Sequence, residues 1–391
     1  MTPRAILTRH LGNSISEKCY ISILQFGPVF NMELRYFIIR RLLLLIPTLL
    51  GLVLLVFFLM RAFPDSYLLA RFINTKSSIP ISIQEANARA ALGLNYPVFV
   101  QYFFYLETLF TGNWGTMSTP IYTGAVLKGI ELYFPSTLQL AIFATILSII
   151  ISIPLGTYIG ARPNTAADQI GRVFSLGFYA MPIFMLALLL QIVFGKGIIA
   201  GNPLGVFPVA GKFASTAIPP VPPPWFNPST GLTSPTHLPL IDALIHGDWS
   251  LAYSSFLYLI LPVVTLTLSL LAGILRFIRA GMVDAANQEY VKTARSKGVP
   301  EKLVIKRHIR KNALIPTVTI LGLLFSSLLG GVVVIEEVFN YLGMGMLTLN
   351  AVESISIYGV LGTTFVFGIT LMAANLIVDI TYAFIDPRIR Y

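Results

Sequence analysis

The stretch Arg40–Pro64, RRLLLLIPTLLGLVLLVFFLMRAFP, opens on two arginines and then runs nineteen residues, Leu42 to Met60, without a charge. A helix needs about 20 mostly apolar residues to cross the hydrocarbon core of a bilayer, so this run reads as a membrane-spanning helix. The rest of the chain has the same character. Of its 391 residues 55% are hydrophobic and only 11% charged, against about 25% charged in soluble domains, which excludes an ordinary water-soluble enzyme. A single cysteine, Cys19, excludes an intramolecular disulfide framework and a cysteine-rich zinc site. The four histidines, His10, His237, His246 and His308, show no HExxH or similar metal-ligand spacing.

Six stretches are long and apolar enough to span: roughly Phe37 to Met60, Ser136 to Gly160, Val173 to Phe194, Phe256 to Phe277, Leu314 to Ile335 and Val360 to Phe384. All are expected as helices, because a barrel needs shorter segments alternating apolar and polar residues. The fold class is therefore an all-α membrane protein with six transmembrane helices. Charge placement gives the orientation. With both termini cytoplasmic, only seven of the 27 cations lie outside (Arg61, Arg71, Lys76, Arg89, Lys128, Lys196 and Lys212), and ten fall between Arg276 and Lys311 on the inner side. That split follows the positive-inside rule. The expected location is a multi-pass protein of the inner or plasma membrane.

Two outer segments are long. Residues 61–134 contain amphipathic stretches, Ile83 to Leu92 and Val98 to Phe110, and are expected to form a small helical subdomain. Residues 197–250 form a proline-rich insertion that includes PPVPPPWFNP, Pro219 to Pro228. Such a run cannot be helix or central strand and is expected to be extended and surface-exposed. It reads either as a stiff spacer or as a lid or docking site for an external partner.

The most distinctive segment is cytoplasmic, residues 279–316: RAGMVDAANQEYVKTARSKGVPEKLVIKRHIRKNALIP. Its first half favours helix, Gly298-Val299-Pro300 breaks it, and helical periodicity resumes through Leu303, Val304 and Ile309. Glu301, just after Pro300, suits the positive end of the second helix. Three readings compete: a basic segment attracted to anionic lipid, a helix-turn-helix for DNA, or a helical knob that docks into a cytoplasmic partner and moves the spans. Tethering between two membrane spans argues against DNA, and no nucleic-acid partner is expected.

These residues resemble a known family. EYVKTARSKGVPEKLVIKRHIRKNALIP, Glu289 to Pro316, is similar to the cytoplasmic EAA loop of ABC importer permeases, in particular the branch for peptides, nickel and oligosaccharides. Gly298 matches the loop's glycine, Thr293 and Ala294 stand where its two alanines usually are, and Asn312, Ala313, Leu314 and Pro316 match its exit. Lys292 stands where the acidic residue that names the loop would be, so Glu289 does not inherit that role automatically. Arg40 to Pro64 resembles the family's first span, LGLNYPVFVQY (Leu92 to Tyr102) and GNWGT (Gly112 to Thr116) its external segment, Phe134 to Ala141 its second-span entry, and Asn375 to Tyr391 its ending. The likeness covers 35–391. It departs from the family at the extension 1–34, at the proline-rich insertion, and at Ser356-Ile357-Tyr358, where an Asp-Tyr-Pro is common.

The resemblance implies a permease subunit that is not itself an enzyme and binds no cofactor, with ATP and Mg held by partner subunits; the chain carries no GxxxxGK[ST] phosphate loop. The implied partners are a second homologous permease, two ABC ATPases, a solute-binding protein and the bilayer. The implied docking residues are Glu289, Tyr290, Thr293, Ala294, Lys297, Gly298, Glu301, His308 and Asn312. Candidate pore-lining residues are Gln191, Ser326, Ser327 and Gly330. Within the spans the one acid is Asp379, expected to pair with Arg388 or Arg390; Glu336-Glu337 is expected to face a solvated vestibule. Di- or oligopeptides are the first expectation for the cargo, with oligosaccharides or nickel as alternatives. An ion-coupled carrier is the competing class, distinguishable by transport without ATPase subunits.

Met32 begins MELRYFIIRRLLLL, a natural opening for a membrane protein, so residues 1–31 are expected to be a poorly ordered extension or a mis-called start. An intact mass of protein from its own source should begin at Met32; a mass beginning at Met1 removes the mis-called start.

Overall fold

The computed structural model describes residues 34–70, 73, 78–218, 222–227 and 232–385. The expected extension 1–31, Arg388 and Arg390, and parts of the proline run lie outside these residues. Helix α1 (Leu34–Arg61) contains the charge-free run. Three short helices follow, α2 (Asp65–Ala70), α3 (Ile81–Ala91) and α4 (Val98–Thr111), the last two matching the amphipathic stretches. α4 ends at Gly112, whose φ of 77° is a left-handed cap that favours glycine. A hairpin, β1 (Thr116–Ser118) with β2 (Thr123–Ala125), then buries Met117 between strands and bundle.

Helix α5 (Val126–Gly160) starts well before the expected Ser136 and runs through Pro135 and Pro154. Its 35 residues extend about 50 Å, beyond the ~30 Å hydrocarbon layer, so residues 126–134 of the expected outer subdomain belong to this helix. The third expected span, Val173 to Phe194, is not one rod. It is α6 (Ala166–Ala180) and α7 (Ile183–Phe194), bent by 110°. Pro182 lacks an N–H and drives the preceding residue out of the helical region, and Met181 is extended at ψ 127°.

The insertion ends in α8 (Pro239–His246), and then come α9 (Trp249–Ala286), α10 (Glu289–Ser296), the single turn α11 (Glu301–Leu303), a π-helical turn Val304–Ile309, α12 (Arg310–Val338), α13 (Met344–Glu353) and α14 (Ile357–Ile385). Among the described residues four helices are long and apolar enough to cross a membrane, five if the bent α6–α7 pair counts as one, where six spans were expected. α12 covers the fifth expected stretch as one continuous 29-residue helix.

The centre is α9: 67% of its most apolar window is buried, against 11% for α1. It packs most closely on α5, where two glycines remove the side chains that would hold the helices apart. A Cβ at Gly156 would lie 2.8 Å from Ile278 Cγ2, and one at Gly160 2.6 Å from Met282 Cβ. At the periphery Asp379 pairs with Arg41 of α1 at 2.7 Å. The expected tail arginines lie outside the described residues, and the observed pair ties α14 to α1 instead.

The proline-rich insertion is more folded than a spacer. Phe226, Ala243, Leu251 and Ala252 form a small core with Phe213 and Trp225 against it. Asp242, fully buried, accepts hydrogen bonds from Thr233 Oγ1 and from the Thr236 N–H and hydroxyl, and a two-rung hairpin pairs Phe226 with Thr233.

Gly156→Val should force α5 and α9 apart at a cost of about 1–3 kcal/mol, read as a lowered melting temperature of the purified protein. Gly177→Ala, where a Cβ meets nothing within 4 Å, should not lower it.

Candidate functional site

The segment 279–316 has the helix, break and resumed helix that its sequence suggested. α10 ends in a Schellman motif: the Val299 N–H donates to the Ala294 carbonyl at 3.2 Å and the Gly298 N–H to the Arg295 carbonyl at 2.9 Å. Gly298 takes the required left-handed conformation, φ 71°, and faces open space, so conformation rather than crowding demands glycine there. Pro300 opens the next turn, and Glu301 reaches back across the break to Arg295 with two bonds of 2.7 and 3.1 Å. The Arg295 guanidinium holds the Glu301 carboxyl below its ordinary range. Both partners are about half exposed, so the pair adds little stability; its effect is to fix the angle between the two arms.

The knob is fastened from beneath. Val291, Ala294, Val304 and Ile309 are buried in the same cluster as Ile278, Met282 and Ala285 at the end of α9 and Ala313 at the start of α12. Gly281 lets α9 approach α12 so closely that a Cβ there would sit 2.8 Å from the Ala313 carbonyl oxygen. Of the expected docking residues, Glu289, Tyr290, Thr293, Lys297, Gly298, Glu301 and Asn312 are exposed, and His308 is half-buried. Ala294 faces inward, so its part is packing. Thr293 Oγ1 donates to the Glu289 carbonyl and Asn312 Nδ2 to the His308 carbonyl, while Lys292 pairs with Glu289 at 2.8 Å. The resumed helix passes from the single α turn Glu301–Leu303 into the π turn and then back to α, and Val304 and Ile309, five apart across the π turn, are both buried.

Sequence reasoning missed Asp168. Fully buried near the start of α6, it binds Arg279 Nη2 at 3.0 Å and Arg172 at 3.2 Å, and accepts the Asn164 N–H at 2.9 Å. It clamps the turn before α6 to the helix that leads into the cytoplasmic segment. The signal was present: Thr165-Ala166-Ala167-Asp168 has the spacing of a helix-capping box, and the Thr165 hydroxyl accepts the Asp168 N–H at 3.4 Å.

At the other end of the bundle lies a buried polar centre. Glu336 was expected in a solvated vestibule; it is fully buried, while Glu337 is exposed. Its carboxylate accepts from the Thr137 hydroxyl at 2.5 Å and the Met346 N–H at 2.9 Å. Gly343 and Gly345 leave the space it fills. Beside it, Lys212 of the proline-rich insertion donates to Ser136 Oγ at 2.5 Å, and the Tyr341 hydroxyl donates to Gln139 Oε1 at 3.1 Å. Burial pushes the Lys212 ammonium down to about 8, with the Glu336 charge opposing the shift. The Lys212–Ser136 bond fastens the insertion to α5, and the attraction between Lys212 and Glu336 draws it toward α12. The motif FPSTLQLA thus supplies three partners, Ser136, Thr137 and Gln139, to one network.

Of the pore candidates, Ser327 and Gly330 lie about one turn apart and Gln191 lies away from them. Ser327 and Gly330 lie on α12 and are exposed, and Ser327 Oγ bonds the Leu324 carbonyl at 2.8 Å; the Ser326 side chain lies outside the described residues. Gln191 donates to the Val209 and Val338 carbonyls, roughly 16 Å along α12 from Ser327 at 1.5 Å per residue.

Two family descriptions match the chain. Residues 152–391 match the binding-protein-dependent transport system inner membrane component, and residues 34–140 match the N-terminal membrane component of such systems. A probable D,D-dipeptide transport system permease protein of Escherichia coli K12 is 33% identical over 304 residues, 78% of this chain and 83% of that protein. A dipeptide transport system permease protein of Alkalihalophilus pseudofirmus is 33% identical over 352 residues, 90% and 98% of the two chains. An oligopeptide transport system permease protein of Bacillus subtilis is 33% identical over 362 residues, 91% and 99%.

Removing one partner of a buried ion cluster strands the others. Asp168→Ala should therefore destabilise by about 2–4 kcal/mol, toward the lower range for such pairs because Arg172 and Arg279 reach water; thermal unfolding of the purified protein checks it. In the outer centre, Lys212→Met and Glu336→Gln should each destabilise, and the double variant should lose at least about 1 kcal/mol less than the sum of the two. Additive losses would show that the two charges are not coupled.

Proposed function

The chain belongs to the family of binding-protein-dependent transport system inner membrane components, and from that membership we propose that it is a permease subunit of an ATP-driven importer of di- and oligopeptides. The names of its relatives favour peptides over oligosaccharides or nickel. In this reading α1, α5, the bent α6–α7 pair, α9, α12 and α14 are six spans with both ends of the chain in the cytoplasm, and the chain forms half of a pore completed by a second homologous permease. A solute-binding protein delivers cargo to the outer face, and ATP with Mg is bound and hydrolysed on two separate ATPase subunits.

The observation that carries this function is the way the Glu289–Ser296 helix, its Gly298 turn and the π turn are packed into the ends of α9 and α12. A knob held only by flexible loops would absorb a push from an ATPase. This one shares a close-packed core with two bundle helices, and packed interiors transmit displacement rather than yield to it. Closure of the ATPase pair then moves α9 and α12 together, shifting the bundle between two states whose populations ATP biases. Tyr290, Thr293, Lys297 and Glu301 form the contacting face, and Gly298 gives it its shape.

Gly298→Asp retains insertion, since nothing crowds the site, but strains the left-handed turn. In proteoliposomes holding the full importer, labelled dipeptide uptake and cargo-stimulated ATP hydrolysis should both fall at least tenfold while protein amount is unchanged. Normal uptake would remove the docking role.

A further inference from the structure

A cavity of ≈ 260 Å³ lies where α1, the α3–α4 corner and the start of α14 meet. Its walls are mostly apolar, with Phe57, Leu92, Tyr96, Phe104, Ile357 and Leu361 among them. Two polar atoms among its lining residues, Arg61 Nε and Tyr105 Oη, are buried and have no partner among the described residues. Arg61 has a side chain 10% exposed and gives Nη1 to Asp65 at 3.4 Å; Asp65 is also bound by Arg89 at 2.9 Å. Two cations therefore share one carboxylate, leaving an excess positive charge at the cavity. An unpaired buried donor costs about 1–3 kcal/mol, and two such donors beside an uncompensated cation mark a place for an anionic acceptor.

The surroundings identify the kind of acceptor. Arg61 is the last residue of a candidate membrane span, the level at which lipid headgroups lie and at which aromatic rings gather. Tyr96 and Phe104 meet edge to face at 5.3 Å on the cavity's rim, and Phe99 of α4 meets Phe58 of α1 at 5.7 Å. Phe99, Phe103 and Phe110 of α4, Leu55 and Leu59 of α1 and Phe63 just after it are exposed apolar side chains suited to acyl chains.

We propose that this cavity is a specific site for the phosphodiester headgroup of a bilayer phospholipid, with Arg61 Nε and Tyr105 Oη donating to phosphate oxygens and the acyl chains lying over the aromatic face of α4. The site is distinct from the cytoplasmic segment and does not depend on which cargo is carried.

The test uses the purified importer, delipidated in detergent and titrated with phosphatidylglycerol, with dioleoylglycerol, or with a phenylalanine-containing tripeptide. Phosphatidylglycerol should raise the melting temperature of the wild type by several degrees, as a ligand of the folded state does; dioleoylglycerol, lacking phosphate, should not. Tyr105→Phe and Arg61→Met should lose most of that rise. Without lipid Tyr105→Phe should melt no lower than the wild type, because it removes an unpartnered hydroxyl, and it decides the matter if Arg61→Met fails to assemble. An equal rise with dioleoylglycerol, or an undiminished rise in Tyr105→Phe, overturns the proposal. A rise with the tripeptide that needs Arg61 and Tyr105 also overturns it, by making the site one for a carboxylate cargo.

Discussion

The contact on which the rest depends is the approach of α9 to α5 across Gly156 and Gly160. Between apolar helices in a bilayer there is little hydrophobic drive to associate, and close packing of small residues replaces it. With Ile278 and Met282 seated on those glycines, α9 is fixed along its inner half. The segment 279–316 is anchored at that end: Asp168 grips Arg279, Gly281 admits α12, and Val291 and Ala294 share one core with Met282 and Ala285. The outer end of α5 bears the second fastening, where Ser136, Thr137 and Gln139 meet the residues around Glu336 and Lys212.

What could be read in the sequence follows the range of the forces involved. The charge-free run of α1, the amphipathic α3 and α4, and the Gly298 turn are local matters of hydropathy, period and backbone conformation, and they were legible. Pro182 was legible as a kink, but its 110° bend depends on what α6 and α7 pack against. The burial of Glu336, the clamp of Asp168 and the Arg41–Asp379 pair join residues far apart in the chain. No periodicity reports such partners, and an acid pair at a helix end looks solvent-facing until the glycines that admit one of its members are placed in space. The proline-rich insertion misled for a related reason: composition bars regular structure, but it does not bar Phe226 and Trp225 from finding a core.

The two fastenings differ in kind. The inner one joins short exposed arms to two long helices through apolar packing, which resists compression and carries movement. The other brings the proline-rich insertion, α5 and α12 together through buried polar side chains and directed hydrogen bonds, which fix one arrangement more sharply than apolar contact does. Both fastenings reach α12, which with α5 and α9 joins the two ends of the bundle.

The π turn at Val304–Ile309 bears on the register of α12. A π turn is an α-helix carrying one residue too many. If that surplus residue were drawn out into the Gly298 corner, everything beyond Arg310 would swivel about its own axis by about 100°, the angle between successive residues of an α-helix. A short pull on the knob would thus be converted into a large rotation of α12, presenting a different stripe of that helix to its neighbours with almost no change in its length.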